Sequence, residues 1–175
     1  ISRSPTLLIV GGVAGAGKSS LAARIAASTG WSMIEGDELH PVGNVEKMRR
    51  GEPLTDADRW PWLEALAQAA SRGLAVPEGL EGLVLTCSAL RRVYRDFLRE
   101  SMPTGLRFVF PIVSSDRLME RVTMRSHAYF PPELLASQLA AFEQPGAGEP
   151  DCLLVDGERD LDALTEEIMA HFERR

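Results

Sequence analysis

Short apolar runs at residues 6–10, 32–34, 83–86, 106–113 and 152–155 punctuate the chain, each bounded by turn-forming residues. Most are rich in Val, Leu and Ile without polar alternation, which is how strands buried on both faces read. Between them the apolar positions recur at helical spacing, predicting helices over 18–28, 45–50, 58–72, 89–101, 115–125, 132–142 and 161–172. Helix starts are marked by Thr55 ahead of Asp56 and Asp58, by Ser114 and Ser115 ahead of Asp116, and by Asp160 ahead of "LDALTEEI". Strands alternating with helices predict an α/β fold: a parallel sheet covered on both sides. The loop "QPGAGEP" at 144–150 is too short to divide the chain, so one domain spanning 1–175 is expected.

Composition narrows the function classes. A chain of 175 residues, 45% hydrophobic and 25% charged, can bury a real core. The net charge of −6 argues against nucleic acid as a partner. No apolar run reaches the roughly 18–20 residues of a membrane helix, and the opening "ISRSP" has no apolar signal region. Cys87 and Cys152 lie far apart in apolar surroundings, so free thiols and a cytoplasmic location are expected. Only Lys18 and Lys47 among the 19 basic residues are lysine, so two positions keep a compact ammonium in a chain that otherwise writes arginine.

The segment "VGGVAGAGKSS" contains four glycines and two alanines within residues 11–17, far more than a turn requires. Gly12 to Ser19 fits G-x-x-x-x-G-K-[ST], following a predicted strand and opening a predicted helix, the context this motif needs. Side chains are absent because backbone N–H groups must converge on phosphate oxygens. The motif implies a nucleoside triphosphate held by Gly12, Val13, Ala14, Gly15, Ala16, Gly17, Lys18, Ser19 and Ser20. Lys18 would bridge the phosphates and Ser19 would hold Mg²⁺.

No apolar strand ends in a metal-holding Asp, since "LVLTCSAL" closes on Thr86, Cys87 and Ser88, and no N-K-x-D motif occurs. That points to small-molecule kinases, which need positioning and charge neutralisation. After the second strand the chain reads "EGDELHPVGNVEKMRRGEPLTDADRWPWLEAL". Asp37 at a strand tip can receive or orient a hydroxyl proton, or cap a turn. His40, Arg59 and the cluster Lys47, Arg49 and Arg50 suit a polyhydroxylated anion. Each also has a plainer reading: turn filler for His40, a surface ion pair with Asp56 or Asp58 for Arg59, and a solvated helix face for the cluster. Arg117, Arg121 and Arg125 fall four residues apart, on one side of a helix, either meeting an anion or pairing with Asp116 and Glu120.

The stretches "GVAGAGKSS", "GDELHP", "NVEKM", "GEPLTDADRWPWL", "CSALRRVYRDFLR", "PPELLASQLAAFEQP" and "VD" come in an order and spacing that resemble the gluconokinases of shikimate-kinase-like fold. The resemblance spans nearly the whole chain. It implies a three-layer P-loop NTPase fold with a five-stranded parallel sheet in the order 2-3-1-4-5, helices on both faces and a small lid at about 122–135. It implies phosphorylation of D-gluconate to 6-phospho-D-gluconate with ATP and Mg²⁺, and relatives suggest a homodimer. Position by position, it assigns Lys18, Asp37, Arg121 and Arg125 to transfer and Asp37, His40, Arg59, Ser88 and Ala89 to gluconate. By analogy of fold, the base would touch the loop at 156–160. The lid departs from the family pattern, with His127 one position early and Ala128 where a histidine is expected. A kinase of another anionic acceptor such as shikimate, and a nucleotide-binding module without chemistry, are the competing readings.

Overall fold

The computed structural model describes residues 6–75, 81–102, 105–124 and 131–173. Five parallel strands form its middle layer: β1 (Thr6–Val10), β2 (Ser32–Ile34), β3 (Gly82–Thr86), β4 (Leu106–Ile112) and β5 (Cys152–Asp156), in the order β2-β3-β1-β4-β5. The expected order is the observed one. Val10 lies level with Thr86 on one side and Val109 on the other, so three strand tips end side by side.

Alternate residues of β1 face opposite layers, because successive side chains in a strand point to opposite sides. Leu7 and Ile9 join a core with Trp62, Leu63 and Leu66 of α3 (Asp56–Leu74) and with Tyr94 and Leu98 of α4 (Arg92–Ser101). Leu8 and Val10 join another with Leu21 and Ile25 of α1 (Lys18–Thr29) and with Leu164 and Ile168 of α7 (Leu161–Glu173). Each fully buried side chain of this size contributes about 1.5–3 kcal/mol. A smaller cluster seats α5 (Ser115–Met124) and α6 (Glu133–Ala141) against the glycine loop, through Val13, Ala16, Leu118, Val122 and Leu135. Cys87, just past the end of β3, and Cys152 on β5 are both free and separated by two strands, β1 and β4, as expected.

Three helix starts differ by two or three residues from the sequence expectation. α3 starts at Asp56, because Thr55 caps it: the Asp58 amide donates to Thr55 Oγ1 at 3.2 Å while Asp58 accepts from the Thr55 amide at 2.8 Å. α2 (Val42–Arg49) starts three residues early, directly behind Pro41, and Gly36–Leu39 forms a 3₁₀ turn. α4 starts at Arg92 and not at 89, because Ala89 adopts a left-handed φ of 43° that no helix accommodates.

That strained residue is clamped by a buried arginine. Arg95 Nη1 donates to the carbonyls of Ala89 (2.9 Å) and Leu90 (3.2 Å), and Nη2 donates to Glu143 O (2.9 Å). Its guanidinium also meets Glu149 in a bidentate pair, both contacts 2.7 Å, with the two side chains almost wholly buried. Hydrogen bonds from Arg95, then Arg99, hold the Glu149 carboxyl down to about 2, well below its usual 4.5. The unfolded chain therefore takes up this proton at a higher pH than the folded one, so the stabilisation is complete above pH 4.5 and drains away as pH falls toward 2. Glu149→Ala should cost about 3–5 kcal/mol in urea unfolding at pH 7. The gap to wild type should narrow on acidification from pH 4.5, and a gap independent of pH would show that the pair does not act this way.

Candidate functional site

The glycine loop leaves the tip of β1 and is tied at once to both neighbouring strands. The Gly11 amide donates to Val109 O (2.8 Å) and the Gly12 amide to Ser88 O (3.0 Å). A Cβ at Gly11 would stand 2.3 Å from the Phe110 ring. Gly17, at φ 90°, turns the chain into α1, whose first turn has neither a side-chain cap nor an acidic residue. Its amides are thus open to an anion, where the helix dipole favours one. Lys18 Nζ folds back along the loop and donates to Val13 O at 3.0 Å.

Facing this loop is the 3₁₀ turn that follows β2. Gly36 fixes its place: its amide donates to Thr86 Oγ1 (2.9 Å), its carbonyl accepts from Trp62 Nε1 (2.8 Å), and a Cβ there would lie 1.9 Å from Thr86 O. Thr86 Oγ1 in turn donates to Glu35. The strand tip that lacks a carboxylate of its own thus borrows one from the residue that follows β2. Asp37, next in the chain, keeps a side chain more than half exposed, with His40 Nε2 at 3.9 Å.

His40 is held flat against Trp62, ring centroids 4.1 Å apart and planes within 14°. Asn44 Nδ2 lies 3.2 Å from His40 Nδ1. Since an amide NH₂ can only donate, Nδ1 accepts and Nε2 carries the proton toward Asp37. Burial lowers the His40 pKa to about 4, helped by Arg59 and opposed by Asp37, so the ring is a neutral donor near pH 7.

Arg59 is the most telling residue of the cleft. Its acidic neighbours are engaged elsewhere: Asp56 with Arg91 (2.6 Å) and the Tyr94 hydroxyl, Asp58 with Lys47 (2.7 Å) and the cap at Thr55. Arg59 turns inward instead, only 8% exposed, donating to Tyr94 Oη at 3.2 Å and lying 5.4 Å over that ring. Among the described residues no carboxylate comes within 4 Å of it. A buried cation without a counter-anion is costly unless a ligand supplies the charge.

These parts meet in one cleft of about 190 Å³, which brings Ala14, Gly15, Gly17, Lys18 and Ser19 together with Asp37, His40, Arg59 and Ser88. A second hollow of about 410 Å³ lies beyond the loop and collects Gly15, Ala16, Gly17 and Ser20 with Arg121, Gly157 and Arg159. Arg121 joins the loop at Gly15 O (3.1 Å) to the segment after β5 at Gly157 O (3.5 Å). Gly12 and Val13 line neither space; they anchor the loop's base. Ala89 stands behind Ser88, fully buried. Arg125 and the His127 departure lie outside the described residues, as do residues 125–130 of the expected lid. Lys47 serves as a tie between α2 and α3, Arg50 pairs with Glu52 (2.8 Å), and Arg117 pairs with Glu120 (2.8 Å).

Several contributors leave little or no signal in the sequence. Tyr94 and Arg95 sit inside the quoted "CSALRRVYRDFLR" with no chemistry of their own to announce them. Gln138 of α6 accepts from the Ala14 amide at 2.7 Å, a contact across 124 residues of sequence. Trp62, the second tryptophan of "RWPWL", carried a hint, because a large indole among charges needs a reason to be there.

The chain is similar to known proteins over most of its length. Residues 7–145 match the family model described as an AAA domain. The gluconokinase of Gluconobacter oxydans is 46% identical over 170 residues, covering 97% of this chain and 92% of that protein. The thermoresistant gluconokinase of Escherichia coli is 38% identical over 158 residues, covering 90% and 88%. The crystal structure of a gluconokinase from Sinorhizobium meliloti superimposes with a TM-score of 0.82 at 43% identity, covering 99% of this chain and 94% of that one.

The buried, neutral His40 can be tested directly. In a ¹H–¹³C NMR titration its ring should show a midpoint near 4, and Trp62→Leu, which opens the stack to water, should move that midpoint up toward 6.5. A wild-type midpoint already near 6.5 would contradict the account of its burial.

Proposed function

The chain belongs to the gluconokinase family, and from that membership we infer that it transfers the terminal phosphoryl group of ATP to the 6-hydroxyl of D-gluconate, giving ADP and 6-phospho-D-gluconate. The observation that carries the reading is the company Arg59 keeps: a buried guanidinium with no carboxylate against it among the described residues shares one cleft with an exposed Asp37 and the glycine loop. A sugar acid supplies what each lacks. Its carboxylate pairs with Arg59, in the bidentate fashion a guanidinium favours. Its hydroxyls meet His40 Nε2 and the backbone around Ser88. Its terminal alcohol lies toward Asp37.

The transfer itself needs little covalent help from the protein. The 6-oxygen forms a bond to the γ-phosphorus as the bond from that phosphorus to the bridging oxygen of ADP breaks. Asp37 orients the alcohol and takes its proton. The loop amides, the first turn of α1 and Lys18 meet the negative charge of the phosphates, and Arg121 holds the loop against the segment after β5 on the nucleotide side. Arg121 thus acts on the nucleotide through the loop carbonyl as much as through its charge.

The residues present fit a magnesium ion of the kind held by phosphate oxygens, water and a hydroxyl. Ser19 is exposed on the cleft wall, and among the described residues no group of three or more His, Cys, Asp or Glu offers a protein cage. Ser19 would hold it, and the ion would neutralise phosphate charge.

Mass analysis of products after incubation with Mg-ATP and D-gluconate should find 6-phospho-D-gluconate and ADP in equal amounts; ATP consumed without it would overturn the reading. Asp37→Ala should lower kcat by about two to four orders of magnitude with ATP affinity retained. Arg59→Ala should mainly raise the KM for gluconate, by roughly 100-fold. Near-normal kcat in the first variant, or an unchanged KM in the second, would remove that residue from its role.

A further inference from the structure

Two polar side chains of the cleft, Ser137 and Gln138, have no part in this scheme, and Gln138 touches the glycine loop. Gln138 projects from the middle of α6, and its Oε1 accepts the Ala14 amide of the glycine loop at 2.7 Å. An amide hydrogen can only be accepted by the oxygen of a carboxamide, so this contact decides which way the group is turned. The Nε2 hydrogens face away from the loop backbone, and among the described residues no protein atom takes them. The helix beneath is firmly seated. Leu134 and Leu135, four and three residues before Gln138 and so on the same face, are almost fully buried, Leu135 against Val13, Ala16, Leu118 and Val122.

The position of Ala14 indicates which ligand those hydrogens would meet. Gly15 and Gly17 line both the acceptor cleft and the hollow beyond the loop, so the phosphate chain passes between the two spaces there. Ala16 and Ser20 line only the hollow, whereas Ala14 and Gln138 line only the cleft that holds Asp37, His40 and Arg59. The Ala14 amide is therefore engaged on the acceptor side, by a neutral group. The cleft already has a cation for a carboxylate and another for phosphate. A fixed, uncharged NH₂ donor suits an alcohol oxygen.

We propose that Gln138 binds the acceptor, its side chain set by the Ala14 amide so that Nε2 donates to a hydroxyl oxygen of the polyol chain. This rests on the assignment of the cleft to D-gluconate. Gln138 thereby couples the shape of the glycine loop to recognition of the alcohol that the loop's phosphate will meet.

The test uses the full chain with the variants Gln138→Glu, which keeps an oxygen for Ala14 and loses both donors, and Gln138→Ala, which loses everything. Both should raise the KM for D-gluconate about tenfold, the effect of one hydrogen bond, while the KM for Mg-ATP and the melting temperature stay near wild type in Gln138→Ala. A set of monodeoxy-D-gluconates gives the sharper readout. Wild type should discriminate against one of them by about tenfold, and Gln138→Ala should lose that discrimination alone. Unchanged gluconate KM with a raised Mg-ATP KM, or discrimination retained in the variant, would overturn the proposal and leave Gln138 as a brace of the loop. A wild-type enzyme inactive on gluconate would refute the assigned substrate instead. The same KM comparison then runs on the acceptor found by an ATP-consumption screen, and an unchanged KM there would overturn the role of Gln138.

Discussion

The hydrogen bond from the Gly12 amide to the Ser88 carbonyl, 3.0 Å, is the contact on which the rest of the site depends. It continues the ladder between β1 and β3 one step past the strands, following the bond from the Cys87 amide to Val10 O at 3.1 Å. The phosphate loop and the acceptor wall are thereby one piece of backbone. On the far side of β3, Thr86 takes hold of Gly36 and so places Asp37. Three strand tips, each carrying a different part of the chemistry, are held in register by parallel pairing that the buried Val and Leu residues enforce. Phosphoryl transfer is sensitive to displacements of an ångström, and a sheet edge offers that rigidity where loops alone would not.

The two buried arginines among the described residues show how the same side chain serves structure and function. Arg95 is fully matched: two bonds to Glu149, three to carbonyls, and Phe110 beneath it at 5.6 Å. Its task is to hold the strained Ala89 and the loop around it, which form the wall behind Ser88. Arg59 is matched, among the described residues, by a phenol alone. The acids that a sequence reader would pair with it, Asp56 and Asp58, are drawn off by Arg91, Tyr94, Lys47 and Thr55. What sets the arginine proposed for binding apart from the structural one is thus the engagement of its neighbours, and that depends on α2 and α4 closing around the start of α3.

His40 illustrates the same logic with the opposite sign of solvation. Stacked on Trp62 and fixed by Asn44, it remains neutral although a carboxylate stands 3.9 Å away, because burial outweighs that attraction. A neutral donor next to Asp37 leaves the carboxylate free to accept a proton; an imidazolium there would compete for it.

The chain's own order of residues was enough for the architecture and the phosphate cradle. Glycine spacing, strand-like apolar runs and helix starts are local signals, and the five strands and the glycine loop could be read from them; the fold then brings Lys18, Ser19 and Asp37 into one cleft. Family resemblance added the order of the sheet. What could not be read was anything set by contacts across the sequence: Arg59 turned inward, the left-handed Ala89 that delays α4, the ring state of His40, and Gln138 on an amide 124 residues away. Local propensity acts within a turn or two of chain, whereas burial, charge matching and hydrogen-bond partners are decided by which elements the fold brings side by side.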